Sequence, residues 1–238
     1  MPDALRLRGV SAGYGETVVL EGIELALADD ESLSIIGRNG VGKSTLLGTI
    51  MGHTTLHHGE ILLGNERLDR LSIFRRALRG IGFVPQEREI FPSLTVRENL
   101  EIAARPGQAA TMWTLDRVFE LFPHLKARLS NMGNQLSGGE QQMLAIARAL
   151  VTNPTMLLMD EPTEGLAPVI VETLTGVLIR LRDEAGLSIV LVEQNTRVAL
   201  AFAERAVVMD KGRIVYDGAS ADLQADPERL AHLIGVAE

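Results

Sequence analysis

Two different spacings of hydrophobic and polar residues divide this chain, and each predicts its own kind of element. Leu5-Arg6-Leu7-Arg8-Gly9-Val10 and Leu20-Glu21-Gly22-Ile23-Glu24-Leu25-Ala26-Leu27 alternate with a period of two, the mark of strands with one wet face. Gly13-Tyr14-Gly15 between them predicts a turn carrying one aromatic, and Gly59 to Gly64 predicts a further short strand. Leu33–Ile36, Met156–Met159 and Ser188–Val192 instead run apolar without a break, as parallel strands covered on both faces do. Ile81 to Val84 reads as a buried strand ending at Pro85. Ala206–Met209 and Arg213–Tyr216 flank Asp210-Lys211-Gly212, which predicts a hairpin.

Between these strands the period changes to that of a helix. Leu46–Ile50 and Ile73–Leu78 are short helical stretches, and Thr95 caps a run continuing to Ile102. Arg105-Pro106-Gly107-Gln108 breaks that run, and Leu115 starts another that reaches Phe122. The long helix from Ser137 or Gly138 to Val151 presents Met143, Leu144, Ile146, Ala147 and Leu150 as its apolar face. Val169–Arg182 links two buried strands, and short helices occupy Leu223–Ile234. The order predicts an α/β fold in one domain over residues 1–238, β-rich at its start. Residues 1–86 and 154–238 form the core, and 87–153 form an inserted helical subdomain.

At 238 residues and 46% hydrophobic, the chain can bury a sizeable interior. No apolar stretch approaches the roughly 20 residues that span a bilayer, and the charged start Met1–Leu7 has no apolar core behind it. Together these predict a cytoplasmic protein. Absence of cysteine excludes disulfides and thiolate metal sites. A net charge of −8 argues against broad nucleic-acid binding and against an electrostatic grip on anionic lipid, so a membrane role has to come through a protein partner.

The chemistry begins at Gly37-Arg38-Asn39-Gly40-Val41-Gly42-Lys43-Ser44, which fits G-x-x-x-x-G-K-[ST] between an apolar strand and a helix. Glycines there let successive N–H groups converge on one anion, and the following helix adds the positive end of its dipole. Lys43 suits the β- and γ-phosphates of a nucleoside triphosphate, and the Ser44 hydroxyl suits Mg²⁺. Asp160 and Glu161 end an apolar strand. The first is placed to hold Mg²⁺, the second to act as general base on water, although a solvated acidic turn has the same composition. Leu136-Ser137-Gly138-Gly139-Glu140 reads on its own as a well-capped helix start or as a second anion site.

The loop, the Leu-Ser-Gly-Gly-Glu stretch and the Asp-Glu strand end, in this order, resemble the ATP-binding subunit of an ABC transporter. The resemblance spans essentially the whole chain. It implies the ABC-type variety of the P-loop NTPase fold, with an antiparallel β subdomain and an inserted helical subdomain. It implies that Gly37, Arg38, Asn39, Gly40, Val41, Gly42, Lys43, Ser44 and Thr45 wrap the phosphates of ATP, with Tyr14 stacked on adenine and Val19 beside it. Without the family, Tyr14 is equally a turn aromatic packed on the core. Gln86 takes the position of a residue that senses Mg²⁺ and water, alongside Ser44 and Asp160. Ser137, Gly138 and Gly139 close over the nucleotide of a second ATPase subunit facing head to tail. Residues 87–94, with Phe91 and Pro92, lie near the groove that receives a helix of a membrane permease, though Phe91 is also a candidate core residue.

Two positions depart from the common pattern. Gln194, in Leu-Val-Glu-Gln-Asn, stands where most members carry a histidine that contacts the γ-phosphate, and an amide cannot take up charge there. Ala167 stands where many relatives carry an aspartate. Both departures, with Ile90–Val96, resemble the smaller ATPase subunits of branched-chain amino acid importers. That subgroup implies peripheral attachment to the inner face of the plasma membrane, two permeases, a second related ATPase and an extracytoplasmic binding protein. Urea and short-chain amide importers have similar subunits, and Gln194 with Ala167 also suits a regulatory subunit of weak turnover.

Overall fold

The computed structural model describes residues 3–104, 112–184 and 186–235. The chain opens with the hairpin β1 (Asp3–Tyr14) and β2 (Thr17–Ala28), followed by β3 (Ser32–Ile36) and α1 (Lys43–Met51). Next come β4 (Thr55–Leu63), β5 (Glu66–Arg67), α2 (Ile73–Leu78) and β6 (Ile81–Val84). Between β6 and the next strand, the described residues form α3 (Val96–Glu101), α4 (Leu115–Leu121), α5 (Pro123–Lys126) and α6 (Gly138–Leu150). Strands and helices then alternate again as β7 (Met156–Asp160), α7 (Pro168–Glu184), β8 (Ser188–Glu193), α8 (Thr196–Phe202) and β9 (Arg205–Asp210). The last elements are β10 (Arg213–Ala219), α9 (Ser220–Ala225) and α10 (Pro227–Leu233).

Two sheets result. One is antiparallel in the order β2-β1-β4-β5; the other runs β10-β9-β3-β8-β7-β6 and is parallel except for β10 against β9. The alternating strands behave as their pattern predicts. Leu5 and Leu7 pair with Leu27 and Leu25, and Val10 with Ile23, all of them buried. Between Leu7 and Val10 the register shifts, and Gly9 there adopts φ +56°, so the extra residue bulges out and the apolar side stays inward.

The apolar runs are buried on both faces. Leu157 and Met159 of β7 pack with Ile189 and Leu191 of β8 against α6 and α7. Met156 and Leu158, with Val190 and Val192, face the opposite way into the layer holding α1 and the antiparallel sheet. α1 lies wholly inside that layer, with every residue but Ser44 buried, so it shows no amphipathic stripe. α7 lies on the outer face and buries only Leu174, Leu178 and Leu181, a spacing of one helical stripe.

Several elements differ from the sequence reading. β1 continues through Tyr14, so the turn falls on Gly15-Glu16, and β4 starts at Thr55, ahead of its glycine. α8 has no counterpart in the sequence reading, because Val198, Ala199, Leu200 and Phe202 are buried and its exposed positions are Arg197 and Ala201, one charge in too short a run to mark a stripe. The expected break at Arg105–Gln108 lies outside the described residues. Among the described residues no helix is long and apolar enough to cross a membrane.

Candidate nucleotide site

Three adjacent parallel strands, β3, β8 and β7, end at one edge of the sheet, and each hands the chain to a loop bearing polar side chains. Ligands of open α/β sheets bind outside such carboxyl ends. The loop after β3 turns through Gly40 (φ +81°) and Gly42 (φ +109°). At Gly42 a Cβ would lie 2.9 Å from Leu20 Cδ2, the end of a side chain that has to shift, and the left-handed φ itself asks for glycine. Gly42 is also the N-cap of α1, and no side chain caps that terminus. The loop is held from outside as well. Gly212, in the turn between β9 and β10, donates its N–H to Val41 O at 2.9 Å and accepts from Glu21 N–H at 2.9 Å.

At the start of α1, Lys43 points back over the loop. Its ammonium donates to Gly37 O at 2.8 Å and Arg38 O at 3.0 Å and pairs with Glu161 Oε1 at 2.9 Å. Both side chains of the pair are about as buried as core residues, 3% and 5% exposed. Next along α1, the Ser44 hydroxyl donates to Asp160 Oδ1 at 3.1 Å. Burial pushes the Asp160 carboxyl up to about 6; the Ser44 hydrogen bond opposes this, the Glu161 charge adds to it, and Lys43 opposes it again. Glu161 leaves β7 at φ +43° with its N–H on Val192 O at 2.9 Å. A left-handed glutamate costs on the order of 1–3 kcal/mol, a strain typical of functional turns.

A cavity of about 320 Å³ sits here, lined by Val19, Asn39, Gly40, Gly42, Lys43, Ser44, Thr45, Gln86 and Glu161. The fold therefore brings Val19, the loop, Gln86 and Glu161 together around one space, with Asp160 behind Ser44. Among the described residues no group of three or more His, Asp or Glu stands ready to hold a metal alone. The hard oxygens of Ser44 and Asp160, side by side at the end of β7 and the start of α1, fit Mg²⁺ sharing its sphere with phosphate.

The other expected residues lie around this space. Gln194 is exposed and lines a groove of about 790 Å³ beside α7 and α8 that Glu161 also lines. Tyr14 is 56% exposed at the hairpin tip. Ser137 caps α6: its hydroxyl donates to Glu140 Oε2 at 2.8 Å and accepts from Glu140 N–H at 3.4 Å. Gly138 and Gly139 lie against Arg88 and Ile170. These three residues are therefore engaged with their own helix and its neighbours rather than with the phosphate loop. Arg38 turns outward and donates to Gly235 O at 3.1 Å, beyond the end of α10.

Three ties escaped the sequence reading. Gln86 donates to Glu164, joining the segment after β6 to the segment after Glu161. Glu193, 2% exposed, accepts from the Thr163 N–H at 3.1 Å and the Thr163 hydroxyl at 2.8 Å. Arg76 on α2, 6% exposed, donates to Thr49 O and Ile50 O at 2.8 Å and so closes the far end of α1. A carboxylate ending an apolar strand run is the one local signal that marks Glu193. Arg76 sits beside Arg75 in what reads as a solvated basic pair.

Residues 20–164 match the family model described as ABC transporter. The chain is 41% identical over 228 residues to the high-affinity branched-chain amino acid transport ATP-binding protein BraG of Pseudomonas aeruginosa, covering 95% of this chain and 97% of that one. It is 37% identical over 220 residues to the probable branched-chain amino acid transport ATP-binding protein LivF of Archaeoglobus fulgidus, covering 92% and 93%. Among solved structures it resembles the dimeric ATP-binding cassette MJ0796 bound to ADP and Pi, with TM-score 0.77, 30% identity and coverage of 91% and 98%. With the loop, the strand-end carboxylates and the α/β sheet in place, the chain belongs to the ABC transporter family. Members of that family bind and hydrolyse ATP to drive transport and work as dimers with membrane permeases.

Proposed function

We propose that this chain is the ATP-hydrolysing subunit of an importer of branched-chain, hydrophobic amino acids, held at the inner face of the plasma membrane by permease subunits. The observation that carries the chemistry is the buried Lys43–Glu161 pair beside Ser44 and Asp160. Likeness to BraG over nearly the full length of both chains supports the cargo.

In this reading the triphosphate enters between the loop and Gln86, with adenine on Tyr14 and Val19. The N–H groups of residues 38–45 take the phosphate oxygens, and Lys43 transfers its ammonium from Glu161 to the phosphates. Glu161, released from that contact, takes the proton of the attacking water. Gln194 orients the water from the opposite side. Ser44, Asp160 and Gln86 would hold Mg²⁺, which would supply neutralisation of the phosphate charge. Across a head-to-tail dimer, Ser137, Gly138 and Gly139 complete the site of a second, related ATPase.

In this reading residues 87–153 form a helical lobe against a core of 1–86 and 154–238, and the Gln86–Glu164 hydrogen bond supports a link between their junction and the chemistry. Phe91 is 42% exposed, and Asn99 fixes its backbone by accepting from Phe91 N–H at 2.9 Å and donating to Phe91 O at 3.0 Å. That supports a firm surface for a permease helix there, with an extracytoplasmic binding protein delivering cargo. Gln194 in place of histidine favours a second reading, a mainly regulatory subunit of low turnover.

The test is uptake of labelled leucine, isoleucine, valine and urea in cells lacking the chain, restored with wild type or Lys43→Ala. Amino-acid uptake rescued only by wild type is the expected result. Rescue confined to urea overturns the cargo, and uptake unaffected by loss of the chain overturns the importer.

A further inference from the structure

Three carboxylates are buried at the catalytic edge of the sheet: Asp160, Glu161 and Glu193. The chemistry above uses the first two. Glu193 is the most buried of them, and among the described residues no lysine or arginine pairs with it. Burial pushes its carboxyl above the usual range, the hydrogen bonds from Thr163 and Asn195 oppose this, and the Glu161 charge adds to it. An uncompensated carboxylate in such a place is costly, and the four residues before it on β8, Ile189 to Val192, are apolar.

What that carboxylate holds is specific. Oε1 takes both donors of Thr163, which sits two residues beyond Glu161. Oε2 faces the Asn195 N–H at 3.4 Å, on the far side of Gln194. Glu193 thus closes a bridge between the segment that follows the base and the loop that carries Gln194. Beside it, Glu161 N–H on Val192 O makes a second, backbone tie. The Thr163 segment then continues through the exposed residues Glu164, Gly165 and Ala167.

We propose that Glu193 is a positioning residue for hydrolysis: its carboxylate fastens the Thr163 segment to the Gln194 loop, so that displacing one displaces the other. It acts through Gln194 and touches no nucleotide. The proposal rests on the hydrolysis reading given above.

A kinetic cycle on the full chain in its membrane complex tests this. Glu193→Ala is expected to lower kcat about tenfold with KM for ATP within about threefold, the size of one hydrogen bond to a charged group. Gln194→Ala is expected to cost a similar factor in wild type and under twofold more in the Glu193→Ala background. Glu193→Gln keeps an acceptor for Thr163 and is expected to restore kcat to within about threefold of wild type. If Glu193→Ala does not fold, Thr163→Val, which keeps the volume and removes the hydroxyl donor, enters the same cycle. Defects that simply multiply in the double variant overturn the role of Glu193, as does a kcat unchanged by its removal. A wild-type chain that does not hydrolyse ATP overturns the hydrolysis reading instead.

Discussion

Replacing Glu161 with glutamine should tighten ATP binding while stopping its hydrolysis, and the geometry sets the size of the first effect. Lys43 and Glu161 meet at 2.9 Å with almost no solvent access. At an effective dielectric of 20, such charges attract by about 6 kcal/mol. Desolvation offsets most of that, leaving a charge-assisted hydrogen bond worth roughly 1.5–3 kcal/mol. An incoming phosphate has to displace that bond before Lys43 can serve it. Glutamine keeps an acceptor near Lys43 without the charge, so the competing interaction largely disappears. The expected gain in ATP affinity is about ten- to a hundredfold, and relief of carboxylate–phosphate repulsion acts in the same direction.

The nucleotide-free protein loses the same interaction. For a chain of this length each kcal/mol moves the melting temperature by roughly 2–4 °C, so Glu161→Gln should melt about 3–12 °C below wild type without ligand and recover with ATP. Calorimetric titration with Mg²⁺ withheld reads affinity without turnover, and melts with and without ATP read the compensation. Steady-state hydrolysis by the Mg²⁺-supplied complex should fall at least a hundredfold, the usual contribution of a general base. A folded variant whose ATP affinity equals or falls below that of wild type would refute the competition argument. Intact turnover would refute Glu161 as the base.

Gly212→Ala should cost at least about 2 kcal/mol and weaken ATP binding, because its Cβ would lie 1.9 Å from Val19 O at φ +76°; denaturant melts and titration check both. Arg76→Ala removes the guanidinium donor from Ile50 O, and from Thr49 O, which keeps only the Gly52 N–H, and should lower stability by roughly 2–4 kcal/mol, read by urea unfolding, with wild-type stability arguing against the cap. The Glu140 carboxyl is held below 4.5, chiefly by the Ser137 N–H, so its contribution to stability is present above pH 4.5 and lost as pH falls through the depressed value. Glu140→Gln should therefore flatten the loss of stability below pH 4.5, and melting curves that fall in parallel would count against the capping box.

Local signals carried much of this fold. The buried strands, the phosphate loop and the caps at Thr95 and Ser137 each lie within a few consecutive residues, where period and composition speak directly. What stayed hidden depends on partners distant in the chain. The exposed positions of α8, Arg197 and Ala201, are too few to mark a polar stripe, and its cap, Asn195, lies inside a stretch already read as a motif. Arg38 belongs to the loop by sequence, yet its guanidinium leaves the cavity for Gly235 O, a contact that only packing of the C-terminal helices creates. Glu193 has no role in the sequence reading beyond its place in Leu-Val-Glu-Gln-Asn, because two of its three donors come from Thr163, on another strand's loop.

The same distinction explains how binding can be felt away from the phosphates. α1 is clamped at both ends, by Gly212 on Val41 before it and by Arg76 on Thr49 and Ile50 at its close. The loops after β7 and β8 are fastened to each other through Glu193 and the Val192 carbonyl. These two bodies meet through Lys43 on Glu161 and Ser44 on Asp160. In the proposed reading, phosphate that claimed Lys43 would cut one of these cross-links, and a cation held by Ser44 and Asp160 would replace the other. ATP would then exchange a direct bond between α1 and the Thr163–Gln194 unit for one made through ligand, and loss of the γ-phosphate on hydrolysis would break that new connection.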